Sequence, residues 1–328
     1  MRALQVSELS GPEAVRVTDV KEPEPSHQLT PGEGVLIDVR AAGVSFPDVL
    51  QTRGLYQYKP DLPFVPGAEV AGTVRSAPEG SGFSPGDRVA GVTMLGGMAQ
   101  VAVAPAYMTF TLPESLDWAQ GAGLVFNYHT AHFALVRRGR LRGGERVLVH
   151  GAAGGVGTAS IQVARAVGAE VVAIVSTDAK ESVAREAGAD HVLRSDGEWL
   201  EGAKALGGID VVLDPVGGDR FTDSLRSLRE EGRLVVVGFT GGAIPEVKVN
   251  RLLLRNTEVV GAGWGAYVIP RRDVVRGTGE ALDAMIAAGF VRPVIGARFG
   301  LEQGAEALRL IDERGATGKV VLDVQPGD

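Results

Sequence analysis

The 328-residue chain contains no cysteine. That one absence excludes disulfides, thiolate metal sites, a cysteine nucleophile and iron–sulfur ligation, and it suits a reducing compartment. Positive charge is also in short supply. The formal net charge is −7 and no run of Lys and Arg occurs, so neither a nucleic-acid nor an anionic-membrane footprint is supported. No apolar stretch approaches the ~20 residues of a membrane helix, and Met1 to Ser7 lacks a signal-peptide apolar core. Cytoplasm is the expected location. Aromatic residues make up only 5%, whereas Gly is plentiful at 46, a composition of tight turns and close backbone approaches. Hydrophobic content of 45% with 22% charged residues is that of a globular chain, and the length suits two domains.

The first third reads as short strands between Pro-Gly turns. Val35 to Arg40, Glu69 to Val74 and Asp87 to Val92 are β-rich, and Pro31-Gly32, Pro66-Gly67 and Pro85-Gly86 precede or separate them. This spacing predicts a compact β-rich unit or partly open barrel. From Pro113 to Leu135 the apolar spacing becomes helical. Strand and helix then alternate: strands at 146–150, 170–175, 210–214 and 233–237, helices at 158–167, 179–187 and 221–228. That alternation predicts a doubly wound parallel sheet, and so an α/β protein. A helix at 279–288 and the closing segment Gly318-Lys319-Val320-Val321-Leu322 form a tail too short for a third domain. The expected layout is 1–122, 123–265, and a return of 266–328 to the first domain, with a cleft between the two.

The most informative segment is Val147 to Gly157, a strand running into Gly151-Ala152-Ala153-Gly154-Gly155-Val156-Gly157. Small residues there permit a sharp turn, close approach to a pyrophosphate and close helix–strand packing, and the helix N-terminus that follows offers free N–H groups and a favourable dipole. A lone glycine motif is weak, but the flanking strand, helix and further βα units supply its context. The expected ligand is a dinucleotide held by Ala153, Gly154, Gly155, Val156 and Gly157. An acid about 20 residues on would grip the ribose of NAD. Here the second strand is followed by Ser176 and Thr177, with Lys180 and Arg194 beyond, a set suited to a 2′-phosphate. Asp178 is the counter-indication. NADPH is the expected cofactor.

Several segments resemble the zinc-free quinone oxidoreductase (zeta-crystallin-like) branch of the medium-chain dehydrogenase/reductase superfamily. They are Ala41 to Leu50, Arg53 to Tyr56, Leu62 to Gly72, Gly97 to Gln100, Ala152 to Gly157, Ala187 to Asp190, Asp214 to Gly218 and Thr317 to Leu322, and together they span essentially the whole chain. The resemblance implies a GroES-like catalytic domain, a Rossmann domain and a homodimer. Zinc-dependent relatives carry Cys at the position of Ser45 and His at that of Ala68, and a cysteine-rich lobe is missing after Val89. No metal is therefore expected. Asn is usual in this branch where Ser45 stands.

Without a metal to polarise a simple alcohol, a quinone or enone is the better substrate, because charge arriving with hydride spreads onto a conjugated oxygen. The protein then needs only to position the partners and offer hydrogen-bond donors. The resemblance makes Tyr56 the first catalytic candidate, since a matching Tyr in enoyl-thioester reductases is implicated in protonation. Ser45 is the second, as a donor to substrate or nicotinamide; the alternative is a buried turn hydroxyl. Asp48 is expected to anchor its loop or pair with an Arg. Asn127 and Thr130, three apart on a helix, are expected at the nicotinamide end of the cofactor. Gly238, Phe239 and Thr240 follow a buried strand at its carboxyl end, where open sheets bind ligands. Trp264 is expected to pack, and the five histidines to be structural or solvated. Two other functions stay open: an enoyl-thioester (CoA or carrier-bound) reductase, for which Arg271-Arg272 is a weak hint, and a non-catalytic NADPH-binding protein. An edge strand within Leu252–Leu254 and Val259–Gly261 is the expected dimer contact.

Overall fold

The computed structural model describes residues Met1–Gln325. The chain opens with an antiparallel pair, β1 (Arg2–Val6) and β2 (Val15–Asp19). The long strand β3 (Gly34–Val44) follows, then α1 (Phe46–Thr52), β4 (Glu69–Ser76), β5 (Arg88–Val92), β6 (Val101–Pro105) and β7 (Thr109–Thr111). Val35, Ile37 and Val39 alternate along β3 and are fully buried, as a strand with one face on a core requires. Two strands of this group cross at very short range. Gly72 of β4 sits beside a register shift against β3, and a Cβ there would lie 2.0 Å from the Asp38 carbonyl oxygen.

Helix α2 (Trp118–His132) leads into β8 (Arg146–Val149), α3 (Gly155–Val167), β9 (Glu170–Val175), α4 (Asp178–Glu186), β10 (His191–Arg194), α5 (Trp199–Ala205), β11 (Ile209–Asp214), α6 (Phe221–Ser227) and β12 (Leu228–Val236). After these come α7 (Asn250–Leu253), β13 (Glu258–Gly261), α8 (Trp264–Val268) and α9 (Arg272–Ala287). Strands β8 to β13 form one sheet in the order β10-β9-β8-β11-β12-β13, parallel throughout. The central strands are near-continuous apolar runs because helices cover both faces. Counting from β8, the order is 3-2-1-4-5-6, that of the doubly wound dinucleotide-binding sheet. The α/β expectation holds.

The tail supplies β14 (Ile295–Gly300), α10 (Gly304–Asp312) and β15 (Lys319–Asp323). Strand β15 adds to β3 antiparallel and β14 to β15 in parallel, completing a seven-stranded sheet in the order β14-β15-β3-β4-β5-β7, with β6 on β3. Met1–Phe126, Arg272–Gly279 and the described residues from Pro293 on form one compact unit; Asn127–Arg271 and Glu280–Arg292 form the other. The end of the 280–292 stretch is tied into the second unit by Gln162 of α3, whose amide accepts from the Arg292 N–H and donates to its carbonyl.

Some expectations need correction. Leu252 and Leu253 are helical, not an edge strand: an apolar run without alternation fits either form, and backbone bonds to Val249 and Asn250 close the turn. Within residues 252–261 the strand is β13 alone, at one edge of the sheet. Helix α3 begins three residues before the expected start, at Gly155, because glycine hides a helix start in propensity-based reading. Helices α5 and α10 were not anticipated. Among the described residues no helix is long and apolar enough to cross a membrane.

Gly72→Ala should lower stability by about 1–3 kcal/mol through this backbone overlap. Urea unfolding would show a reduced midpoint at unchanged slope; an unaltered midpoint would mean that β3 and β4 can part without cost.

Candidate active site

The loop after β8 and the loop after β11 flank the point where strand order reverses, the ligand position in sheets of this kind. Gly151 has φ +58°, a left-handed conformation that favours glycine. Gly154 is the extended N-cap of α3 and supplies no side-chain cap. The first-turn N–H groups of Gly155, Val156 and Gly157 therefore have no helical acceptor and face the end of the helix where an anion is favoured. Gly157 permits this geometry, since a Cβ there would lie 2.2 Å from the Gly151 carbonyl oxygen. Ala153 is buried inside the loop.

The residues after β9 converge with the end of β10. Thr177 caps α4, its Oγ1 accepting from the Lys180 N–H. Lys180 Nζ lies 3.5 Å from Ser176 Oγ. Arg194 donates to the Ser176 carbonyl at 2.7 Å and pairs with Asp178 at 2.5 Å. Asp178, whose side chain is 98% exposed, thus neutralises Arg194 instead of standing alone as a ribose ligand. Two cations, a hydroxyl and a helix start make a corner that fits a phosphate.

Asp214 ends β11 and shapes the next loop, its Oδ1 accepting from the Val216 and Gly217 N–H groups at 2.8 and 2.9 Å. Thr240 is held on the same loop: its N–H and its hydroxyl both donate to the Pro215 carbonyl at 3.0 Å. That spends the hydroxyl proton, so Thr240 offers a ligand only acceptor capacity. Gly238 and Phe239 precede it, with Phe239 partly exposed. Asn127 and Thr130 are both buried on α2. Trp264 packs, edge-on, against the buried His129 ring at 5.9 Å, and burial pushes that imidazole down to about 3. His150 bonds Ser224 at 2.8 Å and is held down to about 3 by burial. His27 is buried rather than solvated, on the Thr93 carbonyl.

In the first unit, Ser45 caps α1, and Asp48 accepts from the Ser45 N–H at 2.7 Å and from the Gly67 N–H at 3.1 Å. Asp48 therefore anchors its loop. Burial pushes its carboxyl up to about 6, against the pull of those two donors and of Lys319. Ser45 Oγ accepts from Lys319 Nζ at 2.8 Å. The same ammonium meets Glu69 Oε1 at 2.5 Å, and Glu69 Oε2 accepts from the Phe126 N–H of α2 at 2.9 Å. Lys319 is 3% exposed and Glu69 0%. Tyr56 is half-buried; burial and then the charge of Asp48 raise its phenol above the ordinary value, so it keeps its proton at neutral pH.

Sequence reading missed Glu69 and Lys319 as a site. The available signal was a charged residue opening each of two buried strands, Glu69-Val70-Ala71 and Lys319-Val320-Val321. The positions where zinc ligands stand in relatives hold Ser45 and the buried Ala68, a pair that does not fit zinc. Among the described residues no three His, Cys, Asp or Glu side chains gather as a metal set. Arg271 donates to the Tyr267 carbonyl and lies over its ring, and Arg272 pairs with Glu33 at 2.9 Å.

Residues 31–114 match the alcohol dehydrogenase GroES-like domain and residues 155–277 the zinc-binding dehydrogenase family. Quinone oxidoreductase-like protein 2 of Mus musculus is 38% identical over 95% of this chain and 92% of its own. Among solved structures, a probable oxidoreductase from Mycobacterium abscessus is 44% identical with TM-score 0.89, covering 99% of both chains. The quinone oxidoreductase of Thermus thermophilus, solved alone and with NADPH, is 34% identical with TM-score 0.84, over 99% of this chain and all of that one.

Asp48 has a folded-state pKa near 6 against 3.8 unfolded, so the folded state holds its proton more tightly. The stability this gives is complete below pH ~3.8 and is lost as pH rises to about 6, a change of about 3 kcal/mol. Asp48→Asn removes the titration. The stability gap between wild type and variant, from urea unfolding at steps from pH 4 to 6.5, should shift by that order; a flat gap would show an ordinary carboxylate.

Proposed function

Because the chain belongs to the quinone oxidoreductase family of medium-chain dehydrogenases and reductases, we propose that it reduces a quinone or another α,β-unsaturated carbonyl with NADPH and without zinc. The observation that carries the reading is the uncapped start of α3 together with the Ser176, Lys180 and Arg194 corner in one sheet. Solved relatives bound to NADPH support the cofactor choice. The bound cofactor supplies a hydride. Residues Ala153 to Gly157 hold its pyrophosphate on backbone N–H groups. Ser176, Thr177, Lys180 and Arg194 hold the 2′-phosphate, which takes over Arg194 from Asp178. Asn127, Thr130 and the Gly238–Thr240 turn serve the nicotinamide end. Tyr56, protonated at neutral pH, gives the proton that completes reduction, and Ser45 donates a hydrogen bond to the acceptor oxygen. Ser45 and Ala68 in place of zinc ligands support a metal-free reaction, and the absence of cysteine suits the cytoplasm.

The test is cofactor consumption by purified protein, with NADPH and NADH each offered a small quinone, a simple enone and a short enoyl-CoA, with and without chelator. The expected result is chelator-insensitive turnover with NADPH and quinone or enone. Arg194→Ala should lower kcat/KM for NADPH by about 10- to 100-fold and leave the NADH value unchanged. Preference for enoyl-CoA would make it a thioester reductase; tight NADPH binding with no turnover would make it a binding protein.

The protein also acts as a homodimer in this reading. Among the described residues one edge of strand β13 is unpaired, and Ile244, Val249, Leu253 and Leu254 in the same unit are 71–77% exposed, an apolar surface that a second copy would bury. Sedimentation equilibrium should return a dimer; a monomer at micromolar concentration would end this assignment.

A further inference from the structure

The buried ammonium of Lys319 has no evident use in stability. Taking two ions out of water costs several kcal/mol each, and apolar residues of the same shape usually serve a core as well. Yet the fold makes room for it. A Cβ on Gly43 would lie 2.7 Å from Lys319 Cε, and one on Gly123 3.1 Å from Lys319 Cγ. The stem is threaded between two glycines so that Nζ reaches Glu69 and Ser45. Ser45 Oγ accepts from that ammonium, so its own proton points elsewhere, and no acceptor for it occurs among the described residues.

A hydroxyl with a cation behind it and its proton unspent is an oxyanion donor. We propose that Lys319 is a positioning residue for reduction: its ammonium polarises Ser45, which touches the acceptor oxygen as charge develops there. Its fixed positive charge, delivered through the hydroxyl, favours the developing negative charge on the acceptor oxygen. The inference rests on the reductase reading. The electron pair arriving with hydride at the electrophilic carbon is displaced through the conjugated system onto oxygen. Ser45 stabilises that oxygen by a hydrogen bond and keeps its proton; Lys319 remains charged; Tyr56 supplies the proton that ends the step. Glu69 holds the ammonium in place and keeps the buried pair neutral.

The experiment compares Ser45→Ala, the charge-free pair Lys319→Met with Glu69→Gln, the triple combination, and Lys319→Arg. NADPH affinity is read by cofactor fluorescence, kcat and KM with a quinone and an enone, and folding by thermal midpoint. Ser45→Ala and the charge-free pair should each lower kcat by about 100-fold at unchanged NADPH affinity. The triple variant should lose no more than Ser45→Ala, since the ammonium acts through the hydroxyl. Lys319→Arg, which keeps the charge and carries the test if the charge-free pair does not fold, should lose less kcat than Ser45→Ala. Folded variants with wild-type kcat, losses that multiply in the triple, a Lys319→Arg variant as slow as Ser45→Ala, or a loss confined to NADPH affinity would each overturn the role. Wild-type protein that turns over no acceptor would overturn the reductase reading and this inference with it; an active wild type with unaffected variants overturns this inference alone.

Discussion

The β-rich unit holds one cation out of water, and three of its strands meet to do so. Lys319 enters from β15, passes Gly43 of β3 and Gly123 of α2, and ends between the Glu69 carboxylate of β4 and the Ser45 hydroxyl. Three strands that are distant in sequence must be adjacent for this contact, and the sheet order places β15 and β4 on either side of β3. The ion pair is tolerated because each partner makes a further hydrogen bond: Glu69 takes the Phe126 N–H and Lys319 reaches Ser45. A buried charge left without such partners would instead give up or take up a proton.

The same contact decides what Ser45 and Asp48 can do. Asp48 is fully buried and tied to the N–H groups of Ser45 and Gly67, so it braces the turn from β3 into α1. The turn is held stiff, and the Ser45 hydroxyl is the polar group left with an unspent proton. Preorganised donors of this kind act strongly because they need no rearrangement as charge develops.

The nucleotide-binding unit handles charge in the opposite way. Its cations stay near the surface: Arg194 rests against an exposed Asp178, and Lys180 lies near Ser176. In water such pairs are weak, so an incoming phosphate can displace the carboxylate at small cost. The strong element there is the backbone, the uncapped turn of α3 held against Gly151 by the missing side chain of Gly157. One unit holds its ion pair in low dielectric; the other presents backbone dipoles and exchangeable partners.

What the sequence by itself determined is what depends on an unambiguous local pattern. Apolar runs bounded by glycine marked β8, β9, β11 and β12, and the glycines from 151 to 157 marked the turn from β8 into α3 before any contact was known. That Ser176, Lys180 and Arg194 come together was legible because they lie at or just after strand ends in a regular βα order. Ambiguous patterns failed where helix and strand look alike, as at Leu252 and Leu253, or where glycine masks a helix start, as at Gly155. Only the tertiary structure decided that Arg194 holds Asp178, that Thr240 is spent on Pro215, and that Lys319 and Glu69 meet 250 positions apart. A buried ion pair leaves no periodic trace. Each partner reads as an ordinary strand-end charge until the sheet closes around both and takes the water away.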